Sequence, residues 1–271
     1  MRRYLVKVAY LGEGFSGSQA QPPETGLRTV AGEVRSKLLL TDHVPEDRID
    51  LRFASRTDAG VSALGNAIAF YTEFKDPETM LRALNSVSDG VYYLAYREVD
   101  DAFNPRIADK RYYRYSCPAD RMDLPAFREA AELFEGHHDF KRFAKNETGK
   151  STVMAIDSVN VRLRGNIIET DFCANYFLWN QIRRIMAAVM QVGLGMSSLQ
   201  DVKEILAGRD GTFGLAKPEG LTLLDVTFPG EGFTFPEECP YSRRIGRDLF
   251  RDGLRSGFHR TLMDRYREET G

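Results

Sequence analysis

Tyr4, Val6, Val8 and Tyr10 fall at alternate positions of the opening run and Gly12 follows, the period of a strand leaving into a loop. After Thr29, a residue able to cap a helix, Val30, Val34 and Leu38 recur at four-residue spacing, which predicts a helix over residues 29–40. Leu51 and Phe53 alternate in a strand that reaches Ser55, and Ala67, Ala69 and Tyr71 alternate in another that begins after Gly65. A helix over 77–86 with Pro77 in its first turn, then a strand over 91–99, completes a β-α-β-β-α-β order.

The order then repeats with different residues. A strand over 112–117 is followed by a helix over 124–135, ended by Gly136, and by strands over 156–163 and 167–173. Leu178, Ile182, Ile185, Val189 and Val192 step by four, three, four and three, the spacing of a long helix burying one stripe. A helix over 199–207 and a strand over 222–228 close the unit. The pattern predicts an α+β chain of two β-α-β-β-α-β-like domains, of the RRM/ferredoxin-like kind, over residues 1–105 and 106–235. Their largely antiparallel sheets flank a central cleft, and a basic helical extension covers 236–271.

Composition narrows the class without naming an activity. With 271 residues, 42% hydrophobic and 28% charged, the chain is globular and long enough for two moderate cores. No opening stretch has the form of a secretory signal, and no apolar segment approaches the roughly 20 residues needed to span a bilayer, so a cytoplasmic location is expected. Cys117, Cys173 and Cys239 form no CxxC pair, and the histidines no HExxH, so neither a disulfide framework nor a metal site is expected. A net charge of −2 argues weakly against a nucleic-acid partner. The tail changes that picture, because Arg243, Arg244, Arg247, Arg251, Arg255, Arg260, Arg265 and Arg267 make either a local basic surface or a solvated helix face.

The segment richest in chemistry is Phe53-Ala-Ser-Arg-Thr-Asp-Ala-Gly-Val61. A short connection between two strands fixes a side chain well, and Gly60 permits a backbone angle that other residues resist. Arg56 nearby would keep the Asp58 carboxylate ionised and able to act as nucleophile or base. The same residues also fit an Asp-Gly turn in which the Asp bonds its own backbone.

Arg56-Thr57-Asp58-Ala59-Gly60-Val61 resembles, without a gap, the motif of tRNA pseudouridine synthases of the TruA type. Lys110-Arg111-Tyr112-Tyr113-Arg114-Tyr115 is similar to that family's Arg-x-Tyr-x-Tyr strand, and Phe177-Leu-Trp-Asn-Gln-Ile-Arg-Arg-Ile-Met186 to its Phe-x-x-x-Met-Val-Arg-x-Ile helix. Gly136-His-His-Asp-Phe and Ala216-Lys-Pro-Glu-Gly-Leu221 extend the likeness, which runs from Tyr4 to Phe228 and points to a divergent, archaeal-like member. Two positions depart from it: Ser55 stands where the family has Gly, and Ser18 where it commonly has Trp or Tyr.

The resemblance implies an isomerase that converts uridine to pseudouridine in the anticodon stem-loop of tRNA, at family positions 38–40, with no cofactor and no metal. It implies Asp58, Tyr113 and Arg183 as catalytic residues, Arg56, Thr57, Gln19 and Leu221 as substrate-binding residues, and a homodimer across which one tRNA lies. Arg184, a further 100° round the helix from Arg183, should point elsewhere. Two other classes fit parts of the pattern. A non-catalytic tRNA-binding chaperone would keep the fold without needing Asp58, Tyr113 and Arg183 together, and an aspartyl phosphotransferase would need further acids around Asp58, where none cluster in sequence.

Overall fold

The computed structural model describes residues 1–230 and 232–270, leaving out the side chains of Pro23, Arg260 and residues 263–270. Strand β1 (Arg2–Tyr10), helix α1 (Val30–Thr41), strands β2 (Arg52–Phe53) and β3 (Ser62–Thr72), helix α2 (Pro77–Val87) and strand β4 (Val91–Glu98) form the first half. The second comprises β5 (Lys110–Pro118), α3 (Leu124–Glu132), β6 (Gly136–Asp139), β7 (Val153–Ile156), β8 (Ser158–Arg164), β9 (Ile167–Ala174), α4 (Gln181–Gly193), α5 (Leu199–Leu206) and β10 (Leu221–Thr227). Helix α6 (Ser242–Thr270) follows.

The chain is α+β with a largely antiparallel sheet, as its pattern predicts. The pattern does not convey that strands of both halves hydrogen-bond into one eight-stranded sheet, in the order β4-β1-β3-β10-β5-β9-β8 with β2 beside β3. Counting only the strands that enter this sheet, each half contributes them in the order fourth, first, third, second, while β6 and β7 pair apart as a two-stranded sheet. The halves meet where β10 runs parallel to β3, Thr222 opposite Ser62 and Leu223 opposite Ala63. The remaining pairings of this sheet are antiparallel.

Local chemistry sets the element boundaries. Thr29 accepts from the Gly32 amide and Asp76 from those of Glu78 and Thr79, so α1 and α2 begin at capped positions. Val30, Val34 and Leu38 are buried, as are Ile182, Ile185, Val189 and Val192 of α4, the two stripes read from the sequence. Three expectations shift. Strand β3 begins at Ser62 rather than after Gly65, because β10 approaches so closely that a Cβ on Gly65 would lie 2.6 Å from Asp225 Oδ1 and from the Leu224 carbonyl oxygen. Helix α4 begins at Gln181 rather than near Leu178, because Asn180 takes a left-handed conformation with φ 62°. Helix α3 ends at Glu132, and its final residues tighten into turns, Phe134 N–H to Ala131 and Glu135 N–H to Glu132, before Gly136 opens β6.

The tail is helical, and its first turns are fastened to the first half. Arg244 donates to the carbonyls of Ser88 at 2.6 Å and Val91 at 2.5 Å, and Tyr92 donates to Asp248 at 2.6 Å. Arg243, Arg247, Arg251 and Arg255 are exposed, whereas the side chains of Arg260, Arg265 and Arg267 lie outside the described residues. Among the described residues no helix is long and apolar enough to cross a membrane.

Candidate active site

The site forms where the halves join, and its base is a polar network under the β2–β3 loop. Asn66, in the middle of the buried strand β3, donates from Nδ2 to the Ser55 carbonyl at 2.9 Å and to the Tyr10 hydroxyl at 3.0 Å. Its Oδ1 accepts from the Ser55 amide at 3.3 Å. The Tyr10 hydroxyl also meets Thr57 Oγ1 at 2.9 Å. From the other side Ser18 Oγ accepts from the Thr57 amide at 2.8 Å, and the Ser18 amide donates to the Thr57 carbonyl at 3.0 Å. Burial makes each bond costly to leave unmade, so residues 55–57 are held from both sides. Gly60 completes the loop at φ 80°, its amide bonded to the Phe15 carbonyl.

Asp58 projects from this fastened loop and is met by Arg183 from the first turn of α4, whose Nη1 donates to Asp58 Oδ2 at 3.2 Å. The guanidinium is itself held. Nε donates to the Ala216 carbonyl at 2.8 Å and Nη1 reaches Asn180 Oδ1 at 3.4 Å. Arg183 is 12% exposed and Asp58 33%, so the carboxylate faces solvent while its partner is mostly enclosed.

Tyr113 comes from β5, two strands along the sheet from β3, and is buried with its ring edge-on to Phe177 at 5.3 Å between centroids. Burial, then the nearness of Tyr10, pushes its phenol well above the ordinary tyrosine value; Arg111 and a hydrogen bond to Ser55 pull the other way, and Asp58 adds a small push upward. The phenol is therefore neutral at neutral pH and available as a donor. Arg111 is a buried cation spanning the junction. Its Nε donates to Ser55 Oγ at 3.0 Å, its Nη2 to the carbonyls of Ala54 at 3.1 Å and Arg106 at 3.0 Å, and its Nη1 to that of Asn175. Burial pulls its guanidinium below the ordinary value, and its partners are neutral oxygens, so it adds uncompensated positive charge beside the site.

Asp58, Arg183, Tyr113 and Arg111 line one cavity of about 960 Å³, bordered by all seven residues that the sequence singles out: Asp58, Tyr113, Arg183, Arg56, Thr57, Gln19 and Leu221. Their surroundings differ. Arg56 is exposed and, among the described residues, forms no ion pair, so the positive partner of Asp58 is Arg183 rather than Arg56. Thr57 is buried with its hydroxyl committed to Tyr10, whereas Gln19 is half-buried at the rim. Leu221 is buried at the start of β10, opposite Tyr115. Arg184 turns away to Thr212, as its helical offset requires.

Sequence reasoning assigns no role to Asn66, Tyr10 or Arg111. One signal was legible: an asparagine inside Gly65-Asn-Ala-Ile-Ala-Phe70 is a polar residue in an otherwise buried strand, which must find partners. Among the described residues no group of three or more His, Cys, Asp or Glu side chains is gathered as metal ligands would be.

A family model described as tRNA pseudouridine synthase matches residues 130–229. The tRNA pseudouridine synthase A of Thermococcus kodakarensis is 37% identical over 248 residues, covering 90% of this chain and 91% of that protein. That of Methanosarcina acetivorans is 34% identical over 267 residues, covering 97% and 96%. Among solved structures, a Cbf5-Nop10-Gar1 complex aligns with 81% of this chain and spans 48% of its own, at 10% identity and a TM-score of 0.37, a likeness too slight to carry an argument. Sequence identity of this extent over nine-tenths of both chains shows that the chain belongs to the tRNA pseudouridine synthase A family.

Proposed function

We propose that this isomerase acts on uridines in the anticodon arm of tRNA with Asp58 as its catalytic carboxylate, and that it works as a homodimer holding one tRNA across both subunits. The observation that carries the assignment is the Asp58–Arg183 pair at 3.2 Å on the wall of an open cavity, with Tyr113 beside it. A carboxylate partnered on one side and open on the other can reach a ribose placed against it.

The reaction breaks the N1–C1′ glycosidic bond, turns the freed uracil in the pocket and rejoins it through C5. Asp58 begins it either by attacking C1′ or by removing the C2′ proton, since both need an ionised carboxylate against the sugar. Arg183 holds that carboxylate in place and stabilises its charge. Tyr113 offers its ring to the uracil; its neutral phenol suits stacking and proton relay better than the role of a free base. Arg56, exposed at the rim, is available to the RNA backbone or to the space the uridine leaves. Extruding a paired base costs a few kcal/mol, which favours uridines near the end of a stem. Two copies would set two modest basic surfaces along one groove, easing the net charge of −2.

The test incubates the purified protein, without added metal or cofactor, with unmodified tRNA transcripts and maps pseudouridine by carbodiimide-dependent primer-extension stops. New stops in the anticodon arm that vanish in Asp58→Ala, with tRNA binding retained, are expected. Stops elsewhere would overturn the anticodon assignment, and stops that survive in Asp58→Ala would overturn the role of the carboxylate.

A further inference from the structure

The segment between β9 and α4 carries two aromatic side chains for which the reaction has no use. Tyr176 and Trp179 border the same cavity as Asp58, yet are 45% and 44% exposed, while Phe177 between them turns inward against Tyr113. Large aromatic rings left this exposed forgo the stabilisation that burial would give, so their position together at a cavity mouth needs a reason. Trp179 is also held. The Lys145 amide donates to its carbonyl at 2.8 Å, and Lys145 Nζ sits 3.7 Å from the centre of its ring. An ammonium on one face fixes the ring while the rest of the indole borders the cavity. Asn180, left-handed at φ 62° and bonded to Arg183, ties the Trp179 backbone to the group that holds Asp58. The tryptophan thus occupies a defined place relative to the catalytic carboxylate.

We propose that Trp179 is a stacking platform for the nucleobase next to the extruded uridine in the RNA strand. This role rests on the isomerase reading above and adds a subsite to it. Turning a uridine out of its stack strips its neighbour of one stacking face, and that loss is part of the cost of extrusion. A fixed π-face at the mouth of the pocket restores it, since any base stacks on an indole whatever its identity. Lys145 and Arg106 supply the charge that a strand entering there requires, while Lys150 is paired with Glu147 at 2.7 Å. Alanine substitution at such platforms costs about 1–3 kcal/mol per base, a factor of roughly 5 to 150.

Trp179 is the only tryptophan in the chain, so intrinsic fluorescence reports on this ring alone. The full-length protein carrying Asp58→Asn, expected to bind without turnover, is titrated with a tRNA transcript while emission is followed. A saturable loss of most of the emission is expected, and an abasic nucleotide beside the target uridine should abolish that loss while one several nucleotides away leaves it intact. In otherwise wild-type protein, Trp179→Leu should lower single-turnover kcat/KM by about 5- to 150-fold, and Trp179→Phe should restore most of it, because leucine keeps apolar volume but only phenylalanine keeps a π-face. Emission unchanged at saturating RNA, quenching indifferent to the abasic site, or Trp179→Leu as active as wild type would each overturn the platform. Wild-type protein that quenches on RNA yet forms no pseudouridine would retain the platform and overturn the isomerase reading instead.

Discussion

Arg183 Nη1 and Asp58 Oδ2 lie 3.2 Å apart across 125 positions of sequence, one on the first turn of α4 and the other on the loop before β3. The pair therefore joins the two halves of the chain at the site itself. Arg183 Nε is bonded in addition to the Ala216 carbonyl, so its guanidinium is fixed at two edges and offers Asp58 a donor in one position. A lysine could supply the charge but not that fork.

Arg183→Lys should accordingly retain tRNA binding and lose chemistry. One charge-assisted hydrogen bond is worth about 1.5–3 kcal/mol, so the single-turnover rate should fall by about 10- to 150-fold, with the dissociation constant from filter binding changed by less than about threefold. A lysine variant with the wild-type rate would show that the fork has no part in the reaction.

Asn66 supports the loop from beneath. Asn66→Ala strands the Ser55 amide, the Ser55 carbonyl and one bond of the Tyr10 hydroxyl in a buried site. Each unmet buried group costs about 1–3 kcal/mol, and with shared relaxation the expected loss is roughly 2–4 kcal/mol in urea unfolding. Activity measured well below the melting temperature should fall as well, since the stranded Ser55 groups belong to the loop that carries Asp58. A variant less stable by under 1 kcal/mol would mean that water replaces the amide.

How much of this was legible follows from what periodicity can encode. The stripes of α1 and α4 are visible because a helix facing a core must repeat its apolar residues, and the burial of Val34, Leu38, Ile185 and Val189 obeys that rule. Strand β6 was not, because Gly136-His-His-Asp139 carries no apolar alternation, and its pairing with β7 is set by the partner strand. The parallel β3–β10 junction joins residues about 160 positions apart, and nothing local announces it. At the site, Asp58, Tyr113 and Arg183 were named through resemblance, whereas the cradle around them was not. Ser18 and Ser55, read as departures, prove to be its working parts: one hydroxyl holds the Thr57 amide and the other accepts from Arg111.

Gly60 tests the loop's backbone in isolation. It sits at φ 80°, and a Cβ there would lie 3.0 Å from Pro218 Cγ. Gly60→Ala combines a left-handed conformation costing about 1–2 kcal/mol with a contact that one side must yield. Stability should drop by about that amount, and activity by far more, near 100-fold, because Asp58 is two residues away and a displacement of about 1 Å costs that much. Equal proportional losses in stability and rate would remove the argument that the glycine positions the carboxylate.

Tyr10 makes the stability of this region depend on alkaline pH. Burial, opposed by its hydrogen bonds to Thr57 and Asn66, raises its phenol from 10.0 to about 12. Below pH 10 the group is protonated in both folded and unfolded chains, and its contribution is fully present. Between about 10 and 12 the unfolded chain releases the proton and the folded one keeps it, so stability falls with rising pH by about 1.4 kcal/mol per pH unit, until the folded group titrates as well. Tyr93 and Tyr113, whose phenols burial also raises, add to the slope. Tyr10→Phe should be less stable than wild type at pH 8, having lost two hydrogen bonds, and should lose stability more slowly as pH rises. Urea unfolding at pH 8, 10 and 11 measures the difference. The two curves should converge above pH 10; if they run parallel there, the phenol of Tyr10 titrates alike in folded and unfolded chains.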